Sequence, residues 1–484
     1  MVGRDRQPTG VSTEDYWLRF RVPPGLMPDR QFAGRPARLR VHRVRPVYAN
    51  GKSASVPTQA VVLIHGRTVP GPVVFDLRDP ATGGGALNLS VQNALAWAGI
   101  DTFAPSLLGY GRSTRFDEGL NDPGNASLPE YTTAGICAKP DPGCDRTLNS
   151  IINPLDQQEL LLNSHPLDAK RRHSSNFRFA RTDVWVRDID QVIDDAITRN
   201  RRTYGGAGPG GNKVALVGYS LGGQHVGRTL YADNQNEQLL YADDDVKVED
   251  LHNRENIIDK VSRVVFLNSF FGLRPAQIGI GPTEEPANPF GPPTFPLTLD
   301  NRAASDALWK PVTSAACTGR IIAGTQQKVW DQIMENDTVG RAWGTTPWSG
   351  SGPTGGLNRS PTFSGYGWNL DVAGKLSKPT LVIQGLEDGV LPTGKATGEA
   401  LYNALYKDLP APAPSRPNKV LVQVECASHV LQWEGCDGAG CTPHYVTFQK
   451  ALIEWIESGT FNNGAPSGFF NVSPNGVVST VSTA

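Results

Sequence analysis

Three features are scarce or missing in the sequence: long apolar runs, an excess of one sign of charge, and cysteine. Each absence makes a class of function or partner unexpected. No apolar run approaches the roughly eighteen residues of a membrane-spanning helix, so no such segment is expected. Neither sign of charge is in excess, because 46 basic and 47 acidic residues leave a formal net charge of -1. Binding of nucleic acid or of an acidic membrane surface needs a basic excess, so neither partner is expected. Residues 1–6 also lack the apolar stretch of a signal peptide, as in a cytosolic protein or one whose leader has been removed.

Cysteine is the third scarce feature, with six residues in the whole chain. No Cys-x-x-Cys pair or closely spaced Cys/His set suggests a zinc site, and no metal or cofactor is expected. Short loops and one long separation suggest three disulfides. The candidate pairs are Cys137 with Cys144, Cys436 with Cys441, and Cys317 with Cys426. Disulfides favour a secreted or periplasmic protein, whereas six separate thiols would favour the cytoplasmic alternative.

Apolar strands alternate with helices over most of the chain. Buried strands are predicted at 60–64, 100–104, 213–219, 261–267, 380–384 and 419–424, after two half-buried strands at 16–22 and 37–48. Helices are predicted at 88–98, 184–197, 395–406 and 445–456, with another starting at Leu221. This alternation predicts an α/β fold with a mostly parallel, doubly wound sheet. Ligands of such sheets bind at the carboxyl ends of the strands.

Interruptions of this alternation define the predicted domains. Residues 1–59 supply strands that pack on a core formed by 60–271 and 371–458, and the tail 459–484 is expected to pack loosely. A loop insertion rich in Asn, Pro, Asp and Gly occupies 116–180, and a segment rich in Pro, Gly and Trp occupies 272–370. Both begin just after a strand, hence at the ligand-binding edge, so we interpret both as parts of a lid, with 272–370 as the lid or cap subdomain. The alternative is a surface insertion without a functional role.

The stretch Gly218-Tyr219-Ser220-Leu221-Gly222 matches the pattern Gly-x-Ser-x-Gly. An apolar strand runs into it and a helix follows, which is the context in which the serine occupies a tight, strained turn between small neighbours. The start of the helix also favours the negative charge that develops during nucleophilic attack. Ser220 is therefore the predicted nucleophile.

A serine hydroxyl needs a base, and the base needs a third group that orients it. In sheets of this type the three residues occur in the order serine, acid, histidine. Asp388 follows the strand at 380–384 and His429 follows the next strand at 419–424, so both fall at the same sheet edge as Ser220. Glu387 is the rival acid.

Two backbone N–H groups should face the oxyanion, each contributing roughly 3 kcal/mol to transition-state stabilisation. Leu221 N–H, just after the nucleophile, is one candidate. Arg67 N–H is the other, in the loop after the strand at 60–64, where Gly66 allows close approach of the backbone. The Arg67 side chain is predicted either to meet a substrate carboxylate or to form a structural salt bridge.

These residues together resemble the α/β-hydrolase fold superfamily over about residues 60–458. The resemblance is carried by His65-Gly66, Gly109-Tyr-Gly-Arg-Ser113, Gly218 to Gly222, Asp388 and His429. It implies a Ser-His-Asp triad, an oxyanion hole and a cap supplied by 272–370. The chain departs from the superfamily at Pro105-Ser106, where an Asp is usual, which affects loop packing rather than the triad.

Fold alone does not fix the reaction. The interpretation that the intact triad favours is a cofactor-independent esterase acting on a small-molecule or oligomeric carboxylic ester. A peptidase or amidase of the same fold and an acyltransferase are the alternatives. Substrate identity and oligomeric state do not follow from the sequence.

Overall fold

Ten strands of the chain join in one sheet. The computed structural model describes residues 7–23, 32–49, 59–77, 88–115, 130–132, 135–137, 182–205, 213–231, 256–272, 298–311, 319–338, 340–342, 348–350, 355–360, 368–391, 394–409, 416–436 and 440–481. Its strands are β1 (Gly10–Arg21), β2 (Pro36–Val47), β3 (Ala60–Ile64), β4 (Asp101–Ser106), β5 (Glu130–Thr132), β6 (Gly135–Cys137), β7 (Val214–Tyr219), β8 (Val261–Leu267), β9 (Thr298–Asp300), β10 (Asn358–Ser360), β11 (Thr380–Gly385), β12 (Lys419–Val424), β13 (Ser467–Val472) and β14 (Val478–Thr480).

Helices separate most of these strands. They are α1 (Gly71–Phe75), α2 (Val91–Trp97), α3 (Thr182–Tyr204), α4 (Leu221–Tyr231), α5 (Arg302–Asp306), α6 (Thr325–Asn336), α7 (Leu370–Gly374), α8 (Ala396–Ala404) and α9 (His444–Ser458). Short 3-10 helices lie at Ile257–Lys260, Ala307–Trp309, Gly340–Ala342 and Leu431–Trp433. Among the residues that the structure describes, no helix is long and apolar enough to span a lipid bilayer.

The large sheet has the strand order β1-β2-β4-β3-β7-β8-β11-β12-β13-β14. Every pairing from β4 across to β13 is parallel. The pairings of β1 with β2, β2 with β4 and β13 with β14 are antiparallel. The predicted α/β class with a mostly parallel sheet is therefore confirmed.

Helices cover both faces of the sheet, as a doubly wound fold requires. Successive side chains of a strand point to opposite faces, so β3 contributes to two hydrophobic cores. Val62 and Ile64 pack in one core with residues of α3 and α4, and Val61 and Leu63 pack in the other with residues of α1, α2 and α9. All five residues of β3 are buried, which explains its uninterrupted apolar sequence.

The C-terminal segment corrects the prediction of a loosely packed tail at 459–484. Strand β13 pairs in parallel with β12, and β14 pairs with β13 at the edge of the sheet. Phe470 and Val472 are buried in the core, and Phe470 packs against Phe461 with ring centroids 5.2 Å apart. The polar composition of the segment conceals a short strand that places these two apolar side chains on one face.

The two insertions are described to different extents. Of residues 116–180, only the antiparallel pair β5 and β6 lies within the described residues. From 272–370, strands β9 and β10 pair antiparallel, and α5 and α6 are described as well.

One predicted disulfide is confirmed, between Cys436 and Cys441. Cys426 is also disulfide-bonded. Cys144 and Cys317 lie outside the described residues, and so do the two remaining predicted pairings.

Candidate functional site

Ser220 occupies a strained turn between β7 and α4. Its φ of 56° is in the left-handed region, which for a non-glycine residue costs on the order of 1–3 kcal/mol. The Ser220 N–H donates to Leu267 O at 2.9 Å, and Ser220 O accepts from Gly223 N at 3.1 Å. These bonds hold the turn against β8 and against the first residues of α4.

The glycines beside Ser220 are required by close backbone contacts. A Cβ on Gly218 would lie 2.5 Å from Gly223 Cα, and a Cβ on Gly222 would lie 2.3 Å from Ile64 O. Both distances are too short for real contacts, so no larger residue fits without moving the backbone. The Gly-x-Ser-x-Gly pattern thus follows from packing of the turn against β3 and α4.

Ser220, His429 and Asp388 form a hydrogen-bonded chain. His429 Nε2 lies 2.9 Å from Ser220 Oγ, and His429 Nδ1 lies 2.8 Å from Asp388 Oδ2. Asp388 Oδ1 accepts from the N–H groups of Val390 and Leu391 at 2.9 and 3.1 Å. Because a carboxylate only accepts, His429 Nδ1 donates to it and Nε2 is left to accept from the serine hydroxyl. All three side chains are buried.

The three residues come from equivalent places in the sheet. Ser220 follows β7, Asp388 lies in the loop after β11, and His429 lies in the loop after the neighbouring β12. The structure brings Asp388, rather than the rival Glu387, into contact with His429.

Asn268 joins the acid loop to the histidine loop, a contribution that the sequence interpretation missed. Its Oδ1 accepts from Gly385 N at 2.8 Å, and its Nδ2 donates to Ser428 O at 3.0 Å and to His429 O at 2.8 Å. The residue is fully buried and follows β8 directly. The sequence signal that could have identified Asn268 is its position as a polar residue immediately after a buried strand.

A buried carboxylate supports the histidine loop from its other side. Glu434 accepts from Ser428 N at 2.8 Å and from Ser428 Oγ at 2.6 Å. The Arg320 guanidinium pairs with Glu434 at 2.9 Å, so the buried negative charge is neutralised within the protein. Arg320 belongs to the segment 272–370, which is therefore tied to the loop that carries His429.

His65 shapes the loop that approaches Ser220 from β3. Its Nε2 accepts from Leu107 N at 3.0 Å, so its Nδ1 carries the proton and donates to Gly66 O at 2.6 Å. Burial lowers the pKa of His65 to about 4, which keeps the ring neutral. A Cβ on Gly66 would lie 2.7 Å from Ser220 Cβ, so only glycine lets this loop come so close.

A cavity of about 250 Å³ opens beside Ser220. We call the lining residues that follow strands of the large sheet the sheet set; they include Arg67, Thr68, Ser220, Leu221, Phe270 and His429. We call those from 298–360 the insertion set; they include Asp300, Ser305, Leu308, Trp330, Ile333 and Asn358. The predicted residues Arg67 and Leu221 thus share one cavity with Ser220 and His429.

Asp300 is the buried acid of the insertion set. Burial raises its pKa to about 6, and the positive charge of Arg67 opposes this rise. The guanidinium of Arg67 therefore lies close enough to act electrostatically on the carboxylate. Nothing in the sequence pattern singles out Asp300, because β9 is only three residues long and carries no motif.

No protein-family model matches the chain, and no curated protein matches it. Among solved structures, a serine hydrolase from the polyaromatic hydrocarbon-degrading bacterium Cycloclasticus zankles is similar at 12% identity, with 94% of this chain and 100% of that chain covered and a TM-score of 0.40. A carboxylesterase from Bacillus subtilis is similar at 12% identity, with 93% of each chain covered and a TM-score of 0.38. An esterase from Rhodococcus sp. ECU1013 is also 12% identical, with 87% of this chain and 95% of that chain covered and a TM-score of 0.38.

The fold follows from the chain's own topology. Strands β3 and β4 exchange places in the sheet relative to their order in the chain, β2 is antiparallel to its neighbours, and the serine turn connects β7 to α4. A serine at a strand-to-helix turn on such a sheet is the arrangement of α/β hydrolases. The chain has the α/β-hydrolase fold.

Proposed function

We propose that the protein is a serine hydrolase that cleaves carboxylic esters through an acyl-enzyme intermediate. The observation that carries this proposal is the continuous hydrogen-bonded chain from Asp388 through His429 to Ser220 Oγ, with distances of 2.8 and 2.9 Å. This chain of contacts supports the assignment of Ser220 as nucleophile, His429 as base and Asp388 as orienting acid, because serine acyl transfer needs the three groups linked in that order.

In the first step Ser220 Oγ attacks the ester carbonyl carbon while His429 Nε2 takes the hydroxyl proton. The tetrahedral intermediate collapses as the bond to the alcohol oxygen breaks, and His429 returns the proton to that oxygen. Water then attacks the acyl-enzyme with His429 again as base, releasing the acid and restoring Ser220. Asp388 keeps the ring oriented and stabilises its protonated form.

The developing oxyanion is assigned to the backbone N–H groups of Leu221 and Arg67. Leu221 is the first residue of α4, where N–H groups lack partners within the helix. Arg67 follows Gly66, whose position places the loop against Ser220. Each donor would contribute roughly 3 kcal/mol to transition-state stabilisation.

The insertion 272–370 is assigned the role of a cap that selects the substrate. Its residues Leu308, Trp330 and Ile333 line the cavity beside Ser220, so they favour an ester with an apolar portion. The cavity volume of about 250 Å³ fits a small-molecule ester. The disulfide between Cys436 and Cys441 supports a secreted or periplasmic location.

A substrate screen tests this function. We expect hydrolysis of p-nitrophenyl acyl esters, with amino-acid p-nitroanilides cleaved far more slowly or not at all. Faster cleavage of anilides would replace the esterase by a peptidase or amidase. Products formed with an added alcohol acceptor, at the expense of the free acid, would instead identify an acyltransferase.

A further inference from the structure

Three polar atoms of the insertion set are buried without a hydrogen-bond partner among the described residues. They are Asp300 Oδ2, Ser305 Oγ and Asn358 Oδ1. The three residues are 7%, 6% and 2% exposed, and all three line the cavity that contains Ser220. Buried polar atoms in native proteins are nearly always paired, and these three, which come from one side of a single cavity, are available to a group that binds there.

The pairing of β9 with β10 and the start of α5 bring these three residues to the same cavity. Asp300 and Asn358 are direct partners across the antiparallel pair of β9 and β10, so their side chains project from the same face. Ser305 lies in α5, which begins two residues after Asp300. Asn358 Nδ2 donates to Thr68 O at 2.6 Å, which leaves its Oδ1 as the atom without a partner.

The chemistry of the three atoms specifies the group that would pair with them. An amide oxygen and an ionised carboxylate only accept hydrogen bonds, and a serine hydroxyl can accept one as well. A ligand group here must therefore bring a hydrogen-bond donor. Building on the esterase function proposed above, we propose that Asp300, Ser305 and Asn358 form a specificity site for a hydroxyl group carried by the ester substrate.

Charge favours a neutral hydroxyl over an ammonium group. The carboxylate of Asp300, with a pKa of about 6, is mostly ionised at neutral pH. Arg67 already supplies a positive charge that acts on it, as its lowering effect on the Asp300 pKa shows. A second cation would be repelled by Arg67, whereas a hydroxyl can donate to Asp300 Oδ2 without adding charge.

Matched esters that differ only in a donor test the proposal. On the acyl side we would compare p-nitrophenyl esters of butyric, hydroxybutyric, methoxybutyric and aminobutyric acids, with the substituent moved along the chain. On the alcohol side the comparison is between hydroxyethyl and methoxyethyl butyrate. We expect at least one hydroxy ester to exceed its methoxy analogue by about tenfold or more in kcat/KM, because the methoxy group cannot donate. The responding series then shows which side of the ester carries the hydroxyl.

Two variants locate the effect. Asp300→Asn keeps the side-chain shape but removes the charge, and Ser305→Ala removes only a hydroxyl, so it remains informative if the first variant folds poorly. Each should lower the hydroxy-to-methoxy ratio several-fold. Asp188→Asn is the matched control, because Asp188 is a buried carboxylate that accepts from Leu108 N and does not line the cavity. Its ratio should equal that of the unaltered protein.

The outcomes separate this proposal from the esterase function. Absence of hydrolysis of every ester would overturn the function itself. Hydrolysis of plain and hydroxy esters with ratios near one in both series, unchanged in Asp300→Asn, would overturn only the hydroxyl site. A preference for the aminobutyrate ester that disappears in Asp300→Asn would also overturn it, since the site would then take a cation.

Discussion

The sheet set and the insertion set line the same cavity but are built in different ways. Ser220, Asp388 and His429 each follow a buried strand of the ten-stranded sheet, and their hydrogen bonds fix them to one another and to neighbouring backbone. Asp300 and Asn358 lie in strands of three residues that pair only with each other. The side-chain polar atoms of Ser220, Asp388 and His429 are paired with one another or with backbone N–H groups, whereas the insertion set leaves three polar atoms without a partner among the described residues.

In the function proposed above, the two sets have different tasks. Attack by a serine requires reacting atoms to be placed to within a fraction of an ångström, which long buried strands and their hydrogen bonds provide. Recognition of a substrate needs complementary groups that remain available until the substrate arrives. The insertion provides such groups without disturbing the strands that hold Ser220, Asp388 and His429.

The largest expected effect comes from breaking the sheet set at its centre. Ser220→Ala and His429→Ala should each lower kcat for an ester by roughly 10⁴–10⁶-fold, because nucleophile and base act as a unit. The double variant should be little worse than either single variant. Steady-state rates measure the loss, and an unaltered thermal unfolding profile shows that each variant is folded. Losses that multiply in the double variant would show that the two residues act independently.

A smaller effect is expected when the support of the sheet set is removed. Asn268→Leu removes the bonds to Gly385, Ser428 and His429 while keeping the number and branching of the side-chain heavy atoms. We expect kcat to fall by about 10²-fold, the scale of a displacement of about 1 Å, with a smaller change in KM.

Asn200→Leu is the control for Asn268→Leu. Asn200 is a buried asparagine that donates to Asp101, outside the cavity. The Asn200→Leu substitution should lower stability without a comparable loss of kcat. Equal losses of kcat in the two variants would mean that Asn268 contributes only to folding.

The smallest expected effect concerns how stability depends on pH, through His65 in the loop that approaches Ser220. The pKa of His65 falls from its ordinary 6.5 to about 4 in the folded protein, so between these values the unfolded chain binds the extra proton. The unfolding free energy that comes from holding His65 neutral is present above pH 6.5 and is lost as the pH falls towards 4. Between pH 7 and pH 5 the unaltered protein should therefore lose about 2 kcal/mol more unfolding free energy than His65→Gln. Urea unfolding at both pH values measures the difference, and parallel losses would show that His65 is not held neutral.

The two sets also differ in how far the sequence predicts them. Ser220 and His429 are recognisable because each follows a long apolar strand. The order of residues along the chain narrows the acid to Asp388 or Glu387, and the contact with His429 identifies Asp388. Asp300, Ser305 and Asn358 have no such mark. Asp300 and Asn358 lie in three-residue strands, which leave no periodicity, and these strands pair across a sequence separation of 58 residues. Asn268 was missed because its partners lie on β11 and in the loop after β12. Strand β13 was missed because its apolar residues stand in a segment rich in Gly, Ser and Asn.

The central claim is that Ser220 is a nucleophile activated by His429, and covalent labelling tests it most directly. A fluorophosphonate should form one adduct per chain, located on Ser220 by peptide mass spectrometry. The adduct should be absent in Ser220→Ala and form far more slowly in His429→Ala. A folded, unaltered protein that forms no adduct at Ser220, or labels equally fast without His429, would contradict the account.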